Sequence, residues 1–170
     1  MLRTASAENR TRLLEIGAGT GTHGLYFQEG GLEVVSTDLS AAMVEACRAK
    51  GLEAIQADFL NLPFEAEFDI VFGLNCLLHV PQEGLHEVLV SVRETLKPGG
   101  LFYWGQYGGV AFEGEMARDE YRPKRFFSFL TDEAFVGFGE EVFELRGFER
   151  IEVDAHWEQG FQSSYWVKGG

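Results

Sequence analysis

Thr11-Arg12-Leu13-Leu14-Glu15-Ile16-Gly17-Ala18-Gly19-Thr20-Gly21 is a short apolar run that stops at a cluster of glycines, and the residues after it, through Gln28, have helical spacing. The pattern predicts a strand, a tight turn and a helix. The unit then repeats. Leu32 to Thr37 is rich in β-branched residues and ends at Asp38, after which Ser40 can cap a helix from about Ala41 to Lys50. Gly51 closes that helix, Leu52 to Ala57 forms a third short strand, and Asp58 stands at its end as Asp38 stands at the end of the second.

Phe68 to Gly73 is a continuous apolar run and reads as a fourth strand. Gln82 to Leu96 has helical spacing, with Leu85, Val88, Leu89, Val92 and Leu96 on one side, and Lys97-Pro98-Gly99-Gly100 ends it before a fifth strand from Leu101 to Tyr107. Strands alternating with helices imply a parallel sheet covered on both faces, because parallel neighbours need crossover connections. The class is α/β, and residues 1–170 read as a single domain.

After Tyr107 the rhythm breaks. Gly108 to Lys124 mixes glycine, charges and aromatics without a period, so the segment 108–127 is expected to be a lid or substrate insertion. Thr131-Asp132-Glu133 opens a helix to about Leu145, weakened by Gly137 and Gly139. Phe148 to Trp157 and Phe161 to Lys168 then form an antiparallel hairpin, with His156 and Trp157 as structural residues.

The chain has 170 residues, 45% of them hydrophobic, enough to bury a core without staples. Fourteen Lys and Arg against 27 Asp and Glu leave a net charge of −13. Such a surface repels a nucleic-acid backbone and an anionic membrane. Cys47 and Cys76 are the only cysteines and have no metal-ligand spacing, so neither a disulfide scaffold nor a metal site is expected. No apolar run is long enough to span a bilayer, and Met1 to Asn9 lacks a signal-peptide core, which points to a soluble, cytoplasmic protein.

In an open parallel sheet ligands bind beyond the carboxyl ends of the strands, where the strand order reverses. The glycines from Gly17 to Gly21 fall there, at a point where the backbone must approach a ligand closely and a Cβ would interfere. Asp38, at the tip of the second strand, can accept both hydroxyls of a ribose. Asp58, at the tip of the third, can accept from an exocyclic amine while the N–H of Phe59 donates to a ring nitrogen. Asn75 lines the same rim. GxGxG alone is a weak signal, since such a turn often serves only the chain reversal; an acid before it and acids after the next two strands make it a strong one.

This set resembles the class I S-adenosylmethionine-dependent methyltransferases from about Leu13 to Gly100, more loosely to Lys168. The resemblance matches the family's acid and GxGxG to Glu15, Gly17, Ala18, Gly19 and Gly21. It matches the ribose acid to Asp38, followed by Leu39, and the adenine-binding pair to Asp58 and Phe59. Asn75 to Pro81 is similar to the active-site edge. The resemblance implies a Rossmann-like, doubly wound, mostly parallel seven-stranded sheet of order 3-2-1-4-5-7-6 with its last strand antiparallel. It also implies S-adenosylmethionine as cofactor and methyl transfer to a small molecule by in-line displacement.

His79 is the leading candidate for a general base, against a packed or capping role before Val80-Pro81; Tyr107 is either a phenol aimed at the acceptor or a rim aromatic. His23 either touches the amino-acid end of the cofactor or faces solvent. Family members often carry covering helices before the first strand, whereas here that strand starts near Thr11. Cover is therefore expected from the segment around Gly108 to Phe127, with Tyr121, Phe126 and Phe127, from a partner subunit in an oligomer, or from residues outside this sequence. Arg118, Arg122, Lys124 and Arg125 could meet an acidic acceptor or form a solvated loop. Two other readings share much of this pattern. A nicotinamide-dependent oxidoreductase would need GxGxxG and leaves Asp58 unexplained; a non-catalytic binding module would keep the cofactor pocket alone.

Overall fold

The computed structural model describes residues 2–153 and 160–169. Its centre is β1 (Arg12–Ile16), whose apolar residues are buried on both sides of the sheet. β1 lies parallel between β2 (Glu33–Asp38) and β4 (Phe68–Leu74), with Leu14 opposite Val35 on one side and Val71 on the other. β3 (Glu53–Gln56) extends the sheet beyond β2, and β5 (Leu96–Gly108) extends it beyond β4. Strands β8 (Glu144–Ile151) and β9 (Gly160–Val167) complete the order β3-β2-β1-β4-β5-β9-β8. β9 runs antiparallel to β5 and β8, the reversal expected for the final strand. The numerals differ from the expected order only because two strands of a separate small sheet, β6 (Phe112–Glu115) and β7 (Phe126–Phe129), intervene in the chain.

Helices cover both faces. α2 (Thr22–Glu29) packs with Leu13, Val34, Ile70 and Phe72, and α3 (Ala41–Ala49) lies beside it over Leu52 and Ala54. α4 (Gln82–Thr95) turns Leu85, Val88, Leu89 and Val92 toward Leu14, Val71 and Phe102, as their spacing requires. Each such side chain contributes roughly 1.5–3 kcal/mol through burial. Ser40 occupies the N-cap of α3 without a side-chain bond; instead its own N–H donates to Asp38 Oδ1 at 2.9 Å.

Outside the run from β1 to α4 the chain departs from expectation in several places. α1 (Leu2–Ala7), not anticipated, sets Leu2 against Gly30 at the end of α2 remote from the glycine turn, so it does not cover that turn. β5 begins at Leu96, directly after α4, because the Lys97–Gly100 segment bulges within the sheet rather than separating helix from strand. α5 (Asp132–Glu140), capped by Thr131 Oγ1 accepting from Ala134 N–H at 3.2 Å, ends five residues before Leu145. Gly139 lies against the Trp166 ring, which a Cβ would overlap, and the chain then turns into β8. The hairpin β6–β7 was also unforeseen. His156, Trp157 and the turn at Glu158-Gln159 lie outside the described residues. Among the described residues no helix is long and apolar enough to cross a membrane.

Candidate active site

The strand order reverses between β1 and β4, and the glycine turn that leaves β1 lies at this point. Two glycines show what the turn needs. Gly17 has φ +63°, and a Cβ there would overlap Cys76. Gly19 has φ +54°, but no atom lies within 4 Å of the place its Cβ would take. The first is required by packing, the second by backbone conformation and an open space.

The tips of the neighbouring strands tie to this turn. Asp38 Oδ2 accepts the Gly19 N–H at 2.8 Å, and Ala18 N–H donates to Thr37 O at 2.9 Å. Leu39, the next residue, is 65% exposed, an apolar side chain left on the rim. Asp58 caps the short helical turn 59–61 by accepting Leu60 N–H at 3.0 Å, while Phe59 packs half-buried over the core. Asn75 adopts φ +52° and accepts Tyr107 N–H at 3.1 Å, so it joins the tips of β4 and β5.

Glu15 lies beneath the turn rather than on its open side. Its buried Oε2 accepts from Ser36 Oγ at 2.9 Å, and the Gly24 N–H also bonds to the carboxylate. Burial pushes its pKa up to about 7, against those two hydrogen bonds, with Asp38 adding repulsion. His23 Nδ1 stands 3.9 Å from Glu15 Oε1, beyond hydrogen-bond range, and partial burial lowers its pKa. The acid before the turn is thus a support for it.

A cavity of about 430 Å³ opens beside this rim. Asn75, Leu78, His79 and Tyr107 wall it on the sheet side, and Met116, Arg118, Asp119, Arg125, Phe127 and Phe129 on the inserted side. His79 Nδ1 lies 2.7 Å from Phe126 O, so the ring donates from Nδ1 and keeps Nε2 as its acceptor. Burial lowers the pKa of His79, with Arg125 adding to the effect and the Phe126 carbonyl opposing it. Tyr107 is 38% exposed, its ring edge-on to Phe161.

The inserted segment is braced internally. Arg125 binds Asp119 through Nη2 at 2.7 Å and Nε at 3.2 Å, and holds that carboxyl down at about pKa 2. Arg122 donates to Asp119 O and Tyr121 O, and Lys124 to Ala117 O. Of the four basic residues that cluster in the sequence, Arg118 and Arg125 therefore reach the cavity wall, while Arg122 and Lys124 bond to loop carbonyls. Leu78, Met116, Asp119 and Phe129 carry no local motif and were not singled out from sequence; only the break in rhythm after Tyr107 marked their neighbourhood.

Comparison with known proteins is consistent with this geometry. A family model described as a methyltransferase domain matches residues 13–100. The chain is 38% identical over 98 residues to a demethylmenaquinone methyltransferase of Clavibacter sepedonicus, which covers 52% of this chain and 38% of that protein. It is 30% identical over 135 residues to a carboxy-S-adenosyl-L-methionine synthase of Pseudomonas putida, covering 70% of this chain and 53% of that one. The chain therefore spans about half or less of these curated relatives. Among solved structures, a SAM-dependent methyltransferase from Methanosarcina mazei has a TM-score of 0.82 at 17% identity over 94% of this chain and 93% of its own. Burkholderia thailandensis 1,6-didemethyltoxoflavin-N1-methyltransferase, solved with 1,6-didemethyltoxoflavin and S-adenosylhomocysteine, has a TM-score of 0.78 at 20% identity, covering 99% of this chain and 78% of that one. These two likenesses concern the fold.

Proposed function

The chain belongs to the methyltransferase-domain family, and from that premise we propose that its strand-tip site binds S-adenosylmethionine and that the protein transfers the methyl group to a small-molecule acceptor. One observation carries the reading: Asp38, at the tip of β2, is held by the N–H of Gly19 while the Cβ position of Gly19 faces open space. The residues present fit the cofactor. The two backbone bonds to Asp38 use about half of a carboxylate's acceptor capacity, leaving the rest for ribose hydroxyls. Exposed Leu39 and half-buried Phe59 offer apolar surface to a base, Asp58 an acceptor for its amine, and the turn from Gly17 through Ala18 to Gly21 a close backbone approach. Glu15 acts through the turn as a positioning residue.

When bound, S-adenosylmethionine supplies a methyl group activated on a sulfonium. The protein's remaining task is to hold the acceptor in line and exclude water, and proximity of that kind is worth roughly 7–11 kcal/mol. His79 is suited to remove the acceptor's proton, because its Nδ1–H is committed to Phe126 O and burial keeps the ring neutral. Asn75 fixes the backbone of Tyr107, whose ring borders the same cavity. The segment 108–127 covers the site in this reading. A net charge of −13 supports a small acceptor over nucleic acid, and two buried free thiols suit a reducing, cytoplasmic setting.

Calorimetric titration with S-adenosylmethionine, S-adenosylhomocysteine and NAD tests the assignment. The two sulfur nucleosides should bind and NAD should not; binding of NAD alone overturns the reading. Asp38→Ala should weaken S-adenosylhomocysteine by about 1.5–3 kcal/mol, the range for a hydrogen bond to a charged group.

A further inference from the structure

The inserted hairpin β6–β7 hangs from a neck that the last strands of the sheet close around. The chain leaves β5 at Gly108-Gly109 and returns at Leu130, where Gly109 N–H donates to Leu130 O at 2.7 Å. Arg150 on β8 and Gln162 on β9 are cross-strand partners, and both reach Asp132, the first residue of α5. Gln162 is fully buried, and its Nε2 donates to Asp132 Oδ1 at 2.7 Å and to Leu130 O at 3.2 Å. Arg150 Nη1 donates to Asp132 Oδ1 at 3.1 Å and Oδ2 at 3.2 Å. A Cβ on Gly109 or on Gly160 would overlap the Arg150 side chain, so the guanidinium lies against the backbone both at the start of the neck and at the start of β9. An arginine, a carboxylate and an amide thus tie the outgoing chain, the returning chain and the terminal hairpin into one cluster. None of the three lines the cavity beside His79.

We propose that Arg150 is a positioning residue for His79: through Asp132 and the neck it fixes β7, so that Phe126 O stays at the His79 Nδ1–H and Nε2 remains the acceptor of the ring. The inference rests on the methyl-transfer reading, in which His79 takes the acceptor's proton, and deepens it by naming what holds that histidine ready. Phe126 begins β7 and Leu130 follows its last residue, so one short extended segment joins the histidine contact to the neck. That segment is paired with β6 along its whole length, which stiffens it. Hydrogen bonds between charged groups are about twice as strong as neutral ones. Loss of Arg150 therefore removes the stronger partner of Asp132 and leaves the Gln162 amide alone between that carboxylate and Leu130 O. In a neutral imidazole the hydrogen bonds of the two nitrogens decide which of them carries the proton. A loosened neck should accordingly be visible in the His79 ring itself.

Nitrogen NMR of the His79 ring, read beside amide exchange of the whole chain, tests the proposal. The wild type should carry the ring proton on Nδ1. Arg150→Gln should give a mixture of tautomers, and its ring should titrate at a higher pH, because the burial and the Arg125 charge that lower the pKa of His79 are relieved. Amide exchange in residues 112–115 and 126–129 should quicken about tenfold or more, while β1, β2 and β4 keep their protection. Gln162→Met, which cuts the bond to Leu130 O and keeps the arginine, should move the same signals in the same direction. A wild-type tautomer and titration in folded Arg150→Gln, or in Gln162→Met where the first variant does not fold, overturns the proposal. So does a ring proton on Nε2 in the wild type, or equal loosening of β1, β2 and β4, which would make Arg150 a strut for the entire sheet. S-adenosylhomocysteine binding to the wild type is titrated alongside; its absence overturns the methyl-transfer reading and leaves the hold of Arg150 on the His79 ring standing.

Discussion

From β1 to α4, each side chain at the site sits on the strand tip or turn that its own short stretch of sequence builds, and neighbouring tips meet because parallel strands align them. The wall formed by residues 108–129 differs. It is attached through contacts far apart in the chain: His79 to Phe126 O, Gln82 N–H to Glu113, and Gly109 N–H to Leu130 O. The two regions also treat acids in opposite ways, since Glu15 is desolvated and raised to about 7 while Asp119 is paired and lowered to about 2. A strand-tip site of locally specified parts thus adjoins a cavity wall that depends on docking, and variants on either side should report separately.

His79 stands on the seam, so its removal should have the largest effect. His79→Ala should lower turnover with an accepted substrate by roughly 10²–10⁴-fold, the usual contribution of a general base, while the dissociation constant for S-adenosylhomocysteine stays within twofold. A loss of folding stability with normal turnover per folded molecule would make His79 a strut for β7. Within the cofactor region, Gly17→Ala should cost about 3 kcal/mol in denaturant unfolding, because the added methyl meets Cys76 in a left-handed backbone. Gly19→Ala, with open space at its Cβ, should cost only about 1 kcal/mol and act more on ligand affinity. Equal stability losses would show that the two glycines do the same work.

The acids separate the regions by pH. Glu15 has a folded pKa near 7 against an ordinary 4.5, so the native state binds more protons than the unfolded chain between those values, and stability falls as pH rises through that window. Glu15→Gln should therefore be stabilising at pH 8, on the order of 1–3 kcal/mol, with the gain shrinking toward pH 5. Asp119 has the reverse sign: its lowered pKa contributes stability that is present above the ordinary 3.8 and lost as pH falls toward about 2. Melting curves of both proteins from pH 5 to 8 measure the first effect. A gain that is constant across that range would mean that Glu15 stays ionised under the turn.

The same division explains what was legible before the structure. β1 to β4 and α2 to α4 fall within one or two residues of their expected bounds, because Gly17, Gly51, β-branched runs and helical spacing act over short distances. Asp38 and Asp58 could be found because strand tips converge wherever a parallel sheet forms. Phe112 and Phe129, by contrast, are paired across a loop that carries no turn signature, and nothing local identifies either as a strand residue. Lys97-Pro98-Gly99-Gly100 reads as a separator, yet Leu96 already pairs with Phe68, a choice made by the neighbouring strand. Gly139 weakens α5 by propensity, but its reason is the Trp166 ring from the far end of the chain. The cavity wall was hidden for this cause: Leu78, Asp119 and Phe129 become neighbours only once the hairpin docks.

Glu113 offers the smallest effect and the most direct test of that docking. α4 begins after Pro81, which has no side-chain acceptor, so the Gln82 N–H takes its bond from Glu113 Oε1 on β6 at 2.8 Å. The carboxylate also lies at the positive end of the helix dipole, a favourable place for negative charge. Glu113→Ala should cost about 1 kcal/mol, as loss of an N-cap does. If the wall is held by docking, amide exchange should quicken in residues 112–115 and 126–129 while β1, β2 and β4 keep their protection, and acceptor affinity should fall without a change in S-adenosylhomocysteine affinity. Glu113→Gln, which keeps an oxygen acceptor but not the charge, should recover most of the protection. Uniform loosening of the whole sheet would mean that hairpin and core unfold as one unit, and the distinction between the two regions would hold for their sequences but not for their energetics.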